Sequence, residues 1–272
     1  MSVVDVIIPV KNRPLTDCVR SLLNLGAIVG KIIICDGGST QPEIINTLTN
    51  FELNPSIQVI RYPVTAFNKA SLINQGILQA QAEILLISDA DIIWNCTAFT
   101  ALIQKIQSHS QSICHIKNVV ESDSSNQALT RQRYHYFIQK SSHSPAEKIV
   151  VIQKSTTSPK NRPGCGLICA RRETFWQLGG YKEIFKGWGW EDQDLLIRAE
   201  VLGISIFQAG QVLHLSHSDE TRNQFFNYSQ PQVTRDINIK ACTASLQRQQ
   251  LLGDLKSLAH PNNFPKVKVT FF

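Results

Sequence analysis

The chain has 272 residues, 43% hydrophobic and 18% charged, with 27 Lys and Arg against 21 Asp and Glu. That length suits one large domain, or one domain with an appendage, and can bury a substantial core. The formal charge of +6 fits an anionic, phosphate-bearing ligand or an acidic membrane surface, and no arginine-rich block or zinc-finger spacing points to nucleic acid.

In chain order, VVDVIIPV reads as a buried strand, and Pro14 opens a helical pattern through Leu15, Val19, Leu22 and Leu23. KIIIC is a second buried strand, ending at Asp36 and the turn Gly37-Gly38-Ser39. Pro42 starts another helix, and SIQVIRY reads as a third strand. TAFNKASLINQGILQAQA has helical spacing with Thr65 as its cap, and EILLIS is the fourth strand. Strands alternating with helices predict an α/β fold with a mostly parallel sheet and helices on both faces. Ligands of such folds bind beyond the carboxyl ends of the strands, where Asp36, Asp89 and Asp91 stand.

From Glu121 to about Arg162 the chain is polar and Ser-rich, and an inserted loop and helix region is expected. Order returns with GCGLICA as a short strand and RRETFWQLGGY as a helix stopped by glycines. WEDQDLLIRAEVLG is a helix with acids in its first turn, and SIFQAGQVLHLSH is strand-like. The tail from Arg222 carries one helix, roughly Thr234 to Leu258, and then a Pro- and Asn-containing end. The seven cysteines are odd in number and lack CxxC spacing, so buried, reduced thiols in a cytoplasmic protein are expected. The first apolar run is too short for a signal peptide, and no stretch approaches the roughly 18 to 20 apolar residues of a spanning helix.

Three groups of residues can carry chemistry. Asp89 and Asp91 lie two apart at a strand end, so they share a side. Two carboxylates there repel unless a cation offsets them, and a hard divalent ion would bring phosphate oxygens with it. The plainer alternative is a solvated turn. In GWGWEDQD, residues 187–194, exposed Trp rings could stack on sugars or bases, and a first-turn acid could act as a base towards a hydroxyl. The alternative is a capped helix with core tryptophans. Of His214 and His217, one could complete a metal site begun by Asp91.

Taken together, VIIPVKNR, CDGGS, FNKASLINQGILQA, ISDADI and GWGWEDQDLLIR resemble the motif blocks of nucleotide-sugar glycosyltransferases of the GT-A fold. The chain is similar to the family-2 group, and most to its β-1,4-galactosyltransferase-like branch. Lys11 and Lys69 stand where that branch has arginine, and Trp190 where it commonly has glycine. The resemblance covers about Val3 to His217 and implies a metal-dependent, inverting hexosyltransferase that uses a UDP-sugar and Mn2+ or Mg2+. It implies that Pro9, Val10, Lys11, Arg13, Phe67, Lys69, Asp89 and Ala90 line the nucleotide-sugar pocket, with Asp36 on the base. It implies Asp91 and His214 as metal ligands, ahead of Asp89 and His217. Trp188, Glu191 and Asp192 would bind the acceptor, a glycan or lipid-linked saccharide, with Asp192 as the catalytic base. The domain would span 1–220, divided into a nucleotide-binding half (1–117), a variable insertion (118–162) and an acceptor-binding half (163–220). A tail, 221–272, would follow, and its basic amphipathic helix would give peripheral membrane contact. A retaining transferase, a nucleotidyltransferase and a non-catalytic sugar-nucleotide-binding module are the rival readings. The nucleotidyltransferase is disfavoured by the lack of a Gly-rich opening loop.

Overall fold

The computed structural model describes residues 3–62, 67–123, 133–140, 147–155, 162–218, 225, 230–255 and 265–271. Four strands lie side by side and parallel in the order β3-β2-β1-β4: β1 (Val4–Val10), β2 (Val29–Asp36), β3 (Ile57–Arg61) and β4 (Ile84–Ile87). Their register explains why the sequence reads as unbroken apolar runs. Ile7 pairs with Ile33 and Ile87 and faces one core, whereas Val6 pairs with Ile32 and Leu86 and faces the other. Both faces are covered, so both residue sets must be apolar.

Helices α1 (Thr16–Leu23) and α2 (Pro42–Phe51) cover one face, and α3 (Lys69–Gln79) covers the other. The α3 cap is Asn68, whose side chain accepts from the Ser71 N–H; Thr65, the cap expected from sequence, lies outside the described residues. Buried Asp5 on β1 is structural. Its carboxylate accepts the backbone N–H groups of Lys31, Gln81 and Ala82 at 2.8–2.9 Å.

The sheet continues past β4 through β9 (Arg162–Arg171), β6 (Ser112–Glu121), β10 (Ser205–His214) and the short β5 (Ile92–Ile93). β9 runs antiparallel to both its neighbours, while β6 and β10 are parallel to one another. Helix α4 (Cys96–Ser108) adds to the first core, and α5 (Arg172–Gln177) and α6 (Glu191–Val201) add to the second.

The region expected to be loop and helix differs. Residues 134–154 supply two antiparallel strands, β7 (Tyr134–Lys140) and β8 (Glu147–Lys154). In β7, Tyr134, Tyr136 and Ile138 pack on one face while His135 and Gln139 are exposed. This two-residue period is masked in the sequence by the polar segments on either side. The tail differs too. Its helix, α7 (Pro231–Gln247), begins at a first-turn proline and ends well before Leu258. After it, β11 (Lys266–Phe271) pairs in parallel with β8 to complete a second, three-stranded sheet. The Gln249 side chain ties the two parts of the tail together, donating to the Val267 carbonyl and accepting from the Val267 N–H, both at 2.8 Å. β8, β11, α6 and α7 share a third core around Trp190, Ile239 and Leu246.

Candidate active site

A cavity of about 700 Å³ opens along the carboxyl ends of the strands. Pro9, Val10, Lys11, Arg13, Phe67 and Lys69 line it, together with Asp89, Ala90 and Asp91. Trp188, Glu191, Asp192, His214 and His217 complete the set picked out from sequence. Asp36 is the exception. It is 1% exposed and is not among the lining residues. Its carboxylate instead accepts from the Ser39 N–H (3.0 Å) and hydroxyl (2.6 Å), closing the turn after β2. Asn12, in the left-handed region at φ 49°, pins that turn to the β1 end by accepting from the Thr40 and Gln41 N–H groups.

One cluster gathers around Asp91. Ligand atoms of Asp91, His214 and His217 all lie within 4.8 Å of one another. His214 Nε2 is 3.5 Å from one Asp91 oxygen and His217 Nε2 is 3.3 Å from the other, so both histidines reach the cluster. The opposite ring nitrogens are occupied. His214 Nδ1 meets Glu121 Oε2 at 2.6 Å, and His217 Nδ1 meets the Ser218 carbonyl at 2.9 Å. A carbonyl only accepts, so His217 Nδ1 donates to it, and Nε2 is the ring nitrogen turned towards Asp91. Burial works against charge on Asp91, but His214, His217 and Arg13 outweigh it and hold its carboxyl well below the usual range. Two imidazole nitrogens and one carboxylate oxygen form a mixed donor set that fits Mn2+ better than Mg2+, which prefers oxygen throughout.

A second cluster gathers around Lys69, at the start of α3. Its ammonium lies 3.1 Å from Asp89, 3.1 Å from Asp192 and 3.4 Å from Glu191. Burial disfavours the charge on Lys69, but the carboxylates outweigh burial and keep it protonated above the ordinary lysine range. Three carboxylates share this one ammonium. Burial, with Glu191 and Asp89 close by, therefore pushes the Asp192 carboxyl well above its usual range in spite of Lys69. Asp192 Oδ1 and Glu191 Oε2 are buried with no hydrogen-bond partner among the described residues. The contrast with fully bonded Asp5 is direct: such atoms are costly unless a ligand completes them. Gly166 keeps this corner open, because a Cβ there would come within 2.6 Å of Asp192 Oδ2.

The sequence profile described as glycosyltransferase like family 2 matches residues 5–243. The chain belongs to this family. Among curated proteins, none matches significantly. Solved structures share the fold at low identity. GalNAc-T7, solved with UDP, GalNAc and Mn2+, is 14% identical with a TM-score of 0.61 over 92% of this chain and 51% of its own. A mannosyltransferase from Pyrobaculum calidifontis, solved with GDP-Man and Mn2+, is 13% identical with a TM-score of 0.60 over 91% of this chain and 64% of its own. TarS 1-349 from S. aureus is 14% identical with a TM-score of 0.56 over 93% of this chain and 70% of its own. The chain thus spans about half to two thirds of the length of the first two. These matches establish the GT-A fold and do not single out the galactosyltransferase-like branch.

In this family member the third acid of GWGWEDQD has a different task from its neighbours. Asp194 is fully buried and holds Arg198 (2.6 Å) and Lys182 (3.2 Å), while Arg198 donates to the Leu178 and Gly180 carbonyls. The loop before α6 is clamped by α7. The Thr234 hydroxyl donates to the Trp188 carbonyl at 3.0 Å, and the Asn238 amide donates to the Gly189 carbonyl at 2.7 Å. Gly187 has φ 70° and leaves no room for a Cβ against Thr234. Trp190 also adopts a left-handed backbone, φ 80°, a conformation that glycine takes without steric cost. Its indole is buried in the third core.

Sequence reasoning missed Glu121, Arg162, Thr234 and Asn238. No local signal marks them, since each acts on a residue distant in the chain. Arg235 lines the cavity, stacked 4.8 Å over the Tyr134 ring, so part of the expected basic membrane face points inward. The membrane expectation finds no support in this packing. No helix among the described residues is long and apolar enough to cross a membrane.

Proposed function

We propose that the chain transfers a hexose, of galactose, N-acetylhexosamine or glucose type, from a UDP-sugar to a hydroxyl of a glycan or lipid-linked saccharide, with inversion. The observation that carries this reading is one cavity holding both the Asp91–His214–His217 cluster and the under-bonded Glu191–Asp192 pair. Asp91, His214 and His217 would hold Mn2+, which supplies Lewis-acid neutralisation of the departing diphosphate. UDP with Mn2+ in one fold relative and GDP-Man with Mn2+ in another support a nucleoside diphosphate donor and this cation.

Pro9, Val10, Lys11, Arg13 and Phe67 would flank the nucleotide, and Lys69 would face its phosphates. Trp188 would offer an apolar face to a sugar ring. Asp192, raised in pKa and aimed into the cavity, would accept the proton of the acceptor hydroxyl as that oxygen bonds to the anomeric carbon and the bond to diphosphate breaks. In this reading the acceptor-binding half, residues 163–220, works with the tail, because α7 holds the loop that carries Trp188.

The test is a calorimetric screen of nucleoside diphosphate sugars with and without Mn2+. Mn2+-dependent binding of at least one UDP-sugar is expected; binding of none in either condition removes the proposal.

A further inference from the structure

We propose that Glu121 is a positioning residue that aims His214 at the cation. The inference rests on the reading of Asp91, His214 and His217 as a Mn2+ site. Glu121 and His214 end the parallel strands β6 and β10 and are register partners. Backbone bonds lock that end of the sheet: Ser122 N–H donates to the His214 carbonyl at 2.9 Å, and Leu215 N–H donates to the Asp91 carbonyl at 2.8 Å.

On this rigid frame the Glu121 side chain is 1% exposed and fully engaged. Oε2 takes His214 Nδ1 at 2.6 Å and the Ser216 hydroxyl at 2.9 Å, while Oε1 takes Arg162 Nη1 at 2.5 Å. A carboxylate buried at this position is expensive, and an apolar residue would fill a strand end at lower cost. The position instead supplies a charged acceptor to the one ring nitrogen that faces away from Asp91. That bond fixes the ring plane and turns Nε2 to the cluster side, where it would be available to a cation, the general arrangement of a carboxylate behind a metal-bound imidazole. Arg162 extends the support to the cavity wall, which it also lines. At His217 the Nδ1 side meets the Ser218 backbone carbonyl rather than a carboxylate.

The experiment titrates Mn2+ into the full chain by calorimetry, for wild type, Glu121→Gln and Glu121→Ala, with pulsed electron paramagnetic resonance counting the nitrogens coupled to bound Mn2+. Glu121→Ala is expected to weaken Mn2+ binding by about 10- to 100-fold and to lose one of two nitrogen couplings, with Glu121→Gln intermediate. Affinity within about twofold of wild type in Glu121→Ala overturns the inference and leaves the proposed function standing. A fall in affinity with both nitrogens still coupled overturns it as well, because the imidazole is then aimed without Glu121. A wild type that binds no Mn2+ overturns the underlying metal reading itself. Should Glu121→Ala fail to fold, Arg162→Met keeps the glutamate but releases its second oxygen, and about a threefold or greater loss of affinity is expected; no loss counts against the inference.

Discussion

The Asp91 cluster and the Asp192 pair face one cavity but are held in different ways. Asp91 and His214 sit at ends of strands in one sheet, fixed by backbone pairing between β10, β5 and β6. Glu191 and Asp192 sit at the start of a helix whose preceding loop is held by side chains of α7, some 50 residues further along. Damage to the tail should therefore disturb the Asp192 side and leave the cation side intact. Damage at the strand ends should do the reverse.

The largest expected effect tests Asp192 itself. Asp192→Asn should lower transfer by about 10²- to 10⁴-fold with Mn2+ affinity unchanged, measured as donor turnover and by calorimetry. The same variant should melt higher than wild type at neutral pH. A carboxyl whose folded pKa is raised gives stability that is fully present below its unfolded value, about 3.9, and is lost as pH rises through the folded value. Asparagine has no such loss, so the two melting curves should converge below about pH 4. In wild type the raised carboxyl also places the acidic limb of the kcat/KM profile above the usual carboxylate range.

Trp190 offers the next test. Trp190→Gly relieves a left-handed backbone worth about 1–3 kcal/mol but empties a buried indole site worth about 3–5 kcal/mol. It should melt below wild type, and Trp190→Ala should melt lower still, since alanine keeps most of the strain and loses the indole. If glycine matched or exceeded wild type, the third core would contribute less than its burial implies. Asn238→Ala leaves backbone carbonyls in the clamp unpaired and should cost about 1–3 kcal/mol in chemical denaturation, again without change in Mn2+ affinity. Weakened Mn2+ binding in that variant would break the comparison. The smallest effect belongs to the exposed Arg20–Asp17 pair on α1, where Arg20→Ala should shift stability by less than about 1 kcal/mol.

The two sides also differed in how far they could be read. β1 to β4 appear as apolar runs because each is buried on both faces, and Asp89 and Asp91 follow β4 where the sequence puts them, whereas Lys69 opens a helix that the sequence reading began at Thr65. Asp36 was placed at the right strand end, but its carboxylate is spent on Ser39, a local bond the motif does not display. β7 escaped notice since its alternation is only seven residues long and flanked by polar segments. β11 pairs with a strand more than a hundred residues earlier, and nothing local encodes such a partner.

The sequence by itself determined the doubly covered sheet, the family and most of the residues that line the cavity. Periodicity and motif spacing are local properties, and those features are local. Only the tertiary structure decided that both histidines reach Asp91, that Glu121 stands behind one of them, and that α7 grips the loop ahead of Asp192. Each of these joins residues about 50 to 120 positions apart, and such contacts are set by how strands and helices pack rather than by the pattern of any one segment.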